Sequence, residues 1–139
     1  MSQEVDFING YWNNELDVIK ISKPIVIFGD HTKIFKFIDF DFVQGADGVK
    51  VLSPKDFLLP KFFYYQLLSL PLESLGYAEH YKMLKEQKIF VPDKAIQQKV
   101  IERLDQIFDR IKIAKENISK QELLINEFET SILINSFRE

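Results

Sequence analysis

Apolar and charged residues alternate between Ile27 and Leu52, in the stretch IFGDHTKIFKFIDFDFVQGADGVKVL, and glycines punctuate it at Gly29, Gly45 and Gly48. Alternation puts every second side chain on one face of a strand. Glycine beside Asp30 or Asp47 supplies tight turns, because it accepts positive φ. The stretch therefore predicts short strands joined by turns. They are Ile25 to Phe28, opened after Pro24 and ended by Gly29, then Ile34 to Phe37, Phe40 to Val43, and Gly48 to Leu52, ended by Ser53-Pro54. Upstream, Met1 to Lys20 carries Val5, Phe7, Ile8, Tyr11 and Trp12 at no clear period, with turn signals at Asn9-Gly10 and Asn13-Asn14. It reads as an irregular lead-in, with Trp12 as a plug for the core.

After Asp56 the period changes. Phe62, Phe63, Gln66, Leu67 and Leu70 recur at helical spacing, and Pro60 suits a first turn, where its missing N–H is not needed. A helix from about Pro60 to Ser69 is predicted, stopped by Pro71. Gly76 then breaks the chain, and GYAEHYKMLKEQK reads as a short helix or a loop. Ile89 to Val91 is a brief strand candidate. Asp93 is a plausible N-cap, its carboxylate accepting a free N–H of a first helical turn. From there to about Asn135 neither glycine nor proline interrupts. Val100, Leu104, Ile107, Ile111, Ala114, Ile118, Ile125, Phe128 and Ile132 step by threes and fours, so one seam stays on one face. Gln121 alone spoils the stripe, either as a register-fixing polar residue or as a surface residue where the stripe drifts. Forty or so residues at ~1.5 Å each give a rod of roughly 60 Å. Such a seam needs a partner helix, since an isolated helix exposing it is marginal.

The predicted fold is α+β: a small mixed β/α lobe over residues 1–92 followed by a long coiled-coil helix over residues 93–139. A length of 139 residues and an apolar content of 46% allow one domain with a real core. Cysteine is absent, which excludes disulfides, thiolate metal sites and a cysteine nucleophile and fits a cytoplasmic protein. No apolar run approaches the ~18–20 residues of a membrane span, and the N-terminus lacks a basic-then-apolar signal. The net charge of −3 does not announce nucleic acid, so any polyanion contact rests on a local patch. Lysines do gather locally, from Lys33 to Lys36, Lys50 to Lys61 and Lys82 to Lys88.

The sharpest polar cluster is Asp30-His31-Thr32-Lys33. As a catalytic unit it lacks a nucleophile nearby, and sequence neighbours rarely reach base-and-orienter geometry. As a metal site it lacks ligands, because the chain has only His31 and His80. The plain reading is a turn held by the Asp30 carboxylate and the Thr32 hydroxyl bonding backbone N–H groups. A third reading has Thr32, Lys33 and Lys36 touching a polyanion. Gln44-Gly45-Ala46-Asp47-Gly48 lacks the GK[ST] of a phosphate loop and reads as a hairpin turn, with Gln44 able to meet an adenine edge if it faces DNA. Tyr77, His80, Lys82, Lys85 and Lys88 interleave aromatic and basic residues, a pattern shared by nucleic-acid contacts and by ordinary solvated faces.

In combination these motifs, from about Pro24 onward, resemble the specificity subunit of type I restriction-modification enzymes. Gly29-Asp30-His31-Thr32-Lys33 matches that family's GDHT-R/K, and Gly45-Ala46-Asp47-Gly48 its GADG. Gly76-Tyr77-x-x-His80 matches its GY-x-RH, and Pro92 with Gln97 or Gln98 its PP-x-x-EQ helix entry. Glu79 stands where arginine is common, Asp93 replaces the second proline and Ile96 the usual glutamate. The resemblance implies a target recognition domain followed by a long helix. In the family two such helices pair as an antiparallel coiled coil that spaces two recognition domains, each reading half of a split DNA sequence. The subunit performs no chemistry and needs no cofactor. It docks methyltransferase subunits, which modify adenine using S-adenosylmethionine, and restriction subunits join that core.

The family's recognition domain usually begins further upstream, so the chain reads as a partial recognition domain with one helix, either a natural half-unit or a fragment. A homodimer through antiparallel helices would supply the missing second helix. The expected DNA contacts are Lys33, Lys36, Lys82 and Lys85 on phosphates, Gln44, His31 or Tyr77 on bases, and Thr32 and His80 as further contacts. The competing reading is a dimerising protein-interaction module that no longer reads DNA, which the overall acidity favours.

Overall fold

The computed structural model describes residues 1–2, 6, 10–45, 48–72 and 80–138. Its two compact units are Met1–Ile101 and Glu102–Glu139. The first is built on an antiparallel sheet of three strands: β1 (Ile25–Gly29), β2 (Phe35–Ile38) and β3 (Val49–Leu52), in the order β2-β1-β3. Around it stand α1 (Pro60–Leu68), α2 (Tyr81–Glu86) and the start of α3 (Lys94–Ser136). The architecture is α+β, as the change of period after Asp56 predicts.

The central strand explains its own sequence. All of β1 is buried, so both faces must be apolar and the run Ile25-Val26-Ile27-Phe28 does not alternate. Ile25 and Ile27 face one layer with Ile38, Phe42 and Val49, against which Met1, Ile19 and Ile21 pack. Val26 and Phe28 face the other with Leu67 and Leu84, joined by Phe35, Leu52, Phe63 and Tyr81. A third cluster, Leu58, Phe62 and Ile101, ties α1 to the start of α3.

Three expected details differ. Phe40 to Val43 is not a strand. Phe42 makes a single bridge to Ile19, and the next donor, the Ile21 N–H, goes to the Asp41 carboxylate at 2.9 Å. Ile89 to Val91 is not one either, because the Phe90 N–H is taken by the side-chain carbonyl of Gln66 at 3.0 Å. Trp12 is no core plug. It is 64% exposed, and its indole N–H donates to Asp17 at 2.7 Å beside a 3-10 turn at Glu15–Asp17.

The turn chemistry also differs from the expected glycines. Among the described residues the one non-glycine with positive φ is Lys33, at 59°, where the Lys33 N–H closes the β1–β2 turn onto the Gly29 carbonyl at 2.8 Å. Gly45 is needed for proximity instead. Its N–H donates to the Met1 carbonyl at 2.7 Å, and a Cβ there would stand 3.2 Å from that oxygen.

The helix α3 begins as expected, with the Asp93 carboxylate accepting the Ile96 N–H at 2.9 Å. One turn further on, Gln97 is fully buried. Its Oε1 accepts the Leu59 N–H at 2.8 Å, and its Nε2 donates to the carbonyls of Phe57 at 3.0 Å and Pro92 at 2.8 Å. One amide thus joins α3, the entry to α1 and the segment before α3. Gln98 is exposed, so of the two glutamines at this helix entry Gln97 is the one that holds the lobe together. Val100, expected in the seam, packs instead with the cluster of Ile101, Leu58 and Phe62.

The second unit is the remainder of this 43-residue helix, which at ~1.5 Å per residue is about 65 Å long in total. Ile107, Ile111, Ile118, Ile125, Phe128 and Ile132 are each 40% or more exposed. Leu104, Ile111, Ile118, Ile125 and Ile132 repeat every seven residues, with Ile107, Ala114, Gln121 and Phe128 between them, the a and d positions of a heptad. No helix of the described residues is long and apolar enough to cross a membrane.

Replacing Gln97 by leucine keeps the volume but strands one part-buried donor and two carbonyls. Such groups cost about 1–3 kcal/mol each when left unpaired, so a loss of about 2–4 kcal/mol is expected in urea unfolding. The same change at exposed Gln98 should stay within about 0.5 kcal/mol.

Candidate nucleic-acid interface

The polar cluster at the β1–β2 turn is held in a way its sequence does not display. Asp30 is 3% exposed, and each of its polar groups has a partner. Its N–H donates to the Gly48 carbonyl at 2.8 Å, which fastens the turn to the start of β3. Its carbonyl receives the His80 N–H at 3.3 Å and the His80 ring Nδ1 at 2.7 Å. A carbonyl oxygen only accepts, so Nδ1 carries the proton. One carboxylate oxygen accepts the Tyr81 N–H at 2.6 Å, and the other lies 3.9 Å from the Lys50 ammonium. The carboxylate therefore caps the first backbone donor of α2, across fifty residues of chain, rather than a donor of its own turn.

This latch fixes Tyr81 between two lysines. The Lys85 ammonium, one turn along α2, stands 5.1 Å from the ring centroid, and the Lys50 ammonium of β3 stands 5.8 Å away. Lysine stems cover apolar surface while their heads stay at the rim, and a cation over an aromatic face contributes about 0.5–1 kcal/mol at an exposed site. Lys82 is exposed beside Tyr81. Lys33 reaches the Leu72 carbonyl at 3.4 Å, and the Thr32 hydroxyl accepts the Ile34 N–H at the same distance. Asp30, the carboxylate in the middle of this group, is already engaged. The result is a pair of ammonium groups, Lys50 and Lys85, beside a half-buried tyrosine, chemistry suited to phosphates with an aromatic edge among them.

The fold sorts the expected contacts. His31, Thr32 and Lys33 share the turn that Asp30 anchors, and Lys82 and Lys85 lie on the helix it caps. Lys36 does not join them. In β2 it pairs with Ile27, whose side chain faces the opposite layer from Phe28 and Tyr81. It is 4% exposed, and its ammonium is held by the carbonyls of Ser2 at 3.2 Å and Asp6 at 2.6 Å. A lysine so enclosed meets no phosphate. His80 is likewise fully buried and serves the latch, not a ligand. Gln44 is exposed, with its amide on the Val49 carbonyl at 3.3 Å. Tyr77 lies outside the described residues. Lys50 and Tyr81 are the members sequence reading missed. The signal for Lys50 was its register, since it pairs with Phe28 and so shares the face on which α2 packs.

The fold is thus a small sheet with Lys50 and Lys85 over a latched tyrosine, followed by a long helix with an exposed heptad seam. The family model for the type I restriction modification DNA specificity domain matches residues 3–123, and the chain belongs to that family. It is similar to the specificity subunit of the type I restriction enzyme EcoR124I/EcoR124II of Escherichia coli, 39% identical over 70 residues. That match covers 48% of this chain and 17% of the relative, so the chain corresponds to a small part of that protein's length. No solved structure matches.

Replacing Asp30 by alanine removes the acceptor for the Tyr81 N–H. A loss of about 1–3 kcal/mol is expected. Hydrogen exchange at the Tyr81 amide should accelerate well beyond that at the β1 amides. Asparagine at the same position keeps an acceptor oxygen and should restore most of the protection.

Proposed function

We propose that the chain is a recognition and scaffold module of a type I restriction-modification system. In this reading residues 1–92 form a partial target recognition domain that contacts one half of a split DNA sequence, and residues 93–139 form its pairing helix. The observation that carries it is the placing of Lys50 and Lys85 over latched Tyr81, in a chain of this family. In this reading the lysines neutralise phosphates, and Tyr81 and the expected His31 would meet base edges. The module itself carries out no chemistry. A methyltransferase subunit docked on it, with restriction subunits joined through that core, does so instead.

The helix pairs with a second copy. The seam from Ile107 to Ile132 is too exposed for a lone helix in water. Charge beside the seam favours an antiparallel pair. Lys115 and Glu122 occupy successive e positions, so reversing one helix sets lysine against glutamate. A parallel pair sets Arg110 against Lys115. Sedimentation should report a dimer at micromolar concentration, and Ile118→Asp should yield a monomer with an intact lobe.

Fluorescence anisotropy with a labelled duplex tests the DNA contacts. Affinity should fall steeply with salt, and Lys50→Gln and Lys85→Gln should each lower the slope of log K against log salt by about 0.9 if each lysine neutralises one phosphate. A flat salt response would sink the DNA reading. It would favour the second reading, a dimerising protein-interaction module, which the burial of Lys36 and His80 supports. That module would hold a methyltransferase subunit equally well with and without duplex.

A further inference from the structure

The layer of the sheet opposite Tyr81 carries a groove that the DNA reading does not use. It is lined by Tyr11, Trp12, Val18, Phe40, Asp41 and Phe42, among others, and encloses about 360 Å³, within the range of sites that seat a side chain or small ligand. Its aromatic residues are open to solvent: Tyr11 is 93% exposed, Trp12 64% and Phe40 38%. Exposed rings gathered in one groove, unlike rings scattered singly, mark interaction surfaces. Two of its walls are braced. The Trp12 indole is fixed by its bond to Asp17, and Asp41 is fixed by the Ile21 N–H. The groove is therefore a shaped feature rather than a loose flap of side chains.

Its charge is mainly the reverse of the lysine side. Glu15, Asp17, Asp39 and Asp41 are exposed on or beside the segments that form it; the one cation in its lining is the Met1 ammonium, which is engaged by the Val43 carbonyl at 2.6 Å. This face repels a phosphate backbone, so the duplex is not its occupant. Aromatic faces with carboxylates at the margin attract a cation. Arginine fits best, because its planar guanidinium stacks on a ring while its N–H groups donate to a carboxylate.

We propose that this groove docks an arginine-bearing segment of a partner protein, stacked among Tyr11, Trp12 and Phe40 and paired with Asp41. The lobe would then hold nucleic acid on its lysine rim and a protein on its opposite layer. The proposal does not depend on the DNA reading, since it concerns other residues and another ligand.

Trp12 is the chain's single tryptophan, so its emission reports on this groove. The full chain is titrated with a capped oligo-arginine peptide, followed by Trp12 fluorescence, with oligo-lysine and oligo-glutamate peptides alongside. A saturable change is expected with arginine, a weaker one with lysine and none with glutamate. Tyr11→Ala should weaken the arginine response roughly two- to fivefold, the effect of losing one exposed cation–ring contact. Asp41→Asn keeps an acceptor for the Ile21 N–H and removes the charge, and it should weaken the response at least as much. Circular dichroism checks that both variants fold. An unchanged emission overturns the proposal, as does an equal response to glutamate or a response that both variants retain. A change driven by protein concentration alone, with no peptide, would put a second copy in the groove and also overturn it.

Discussion

A backbone N–H or carbonyl shut off from water without a partner costs as much as several good contacts gain, and the three short strands among the described residues satisfy only part of the lobe's backbone. Side chains make up the difference. Asp30 takes the Tyr81 N–H, Gln66 the Phe90 N–H, Asp41 the Ile21 N–H, and Gln97 the Leu59 N–H with the carbonyls of Phe57 and Pro92. Each of these bonds spans twenty or more residues except the last, which is local to the start of α3. They hold irregular segments in place where a larger sheet would have used ladders. The same bonds explain why two predicted strands did not form, since the donors a ladder needed were already taken.

From that constraint follows the division of the lobe. The central strand β1 is buried on both faces, so each layer is built from different partners. One layer is closed by α1 and α2 and rimmed by lysines around Tyr81. The other is closed by Met1, Ile19 and Phe42 and rimmed by acids and aromatic rings. Strand alternation makes this split sharp: Lys36 and Lys50 lie on neighbours of the same strand, yet one is enclosed beneath backbone carbonyls and the other overlooks a ring. A chain with a net charge of −3 thus still sets two lysines over one tyrosine on one layer, while Asp41 stands at the groove of the other.

Much of this was legible from residues alone. The position of β1, the Pro60 start of α1, the Asp93 cap and the length of α3 each follow from local rules: a buried run, a missing N–H, a carboxylate before a helix, and an unbroken period. The motifs that resemble the type I specificity family were also legible, as they are short and contiguous, and the match over residues 3–123 bears that recognition out. What was not legible was which polar residues face solvent. His80 and Lys36 look like ligand contacts in sequence and are buried fasteners in the fold. Lys50 looks like one lysine of a strand and becomes part of the rim.

The sequence by itself determined β1, the start of α1, the cap and length of α3, the heptad seam and the family, because periodicity and caps act within a few residues of chain. Only the tertiary structure decided what Asp30, His80, Lys36 and Gln97 do. Their partners lie tens of residues away in most cases, and the faces of a sheet are assigned by register rather than by composition. A polar side chain contributes structure or function according to what the fold brings to it, and that cannot be read from its neighbours in the chain.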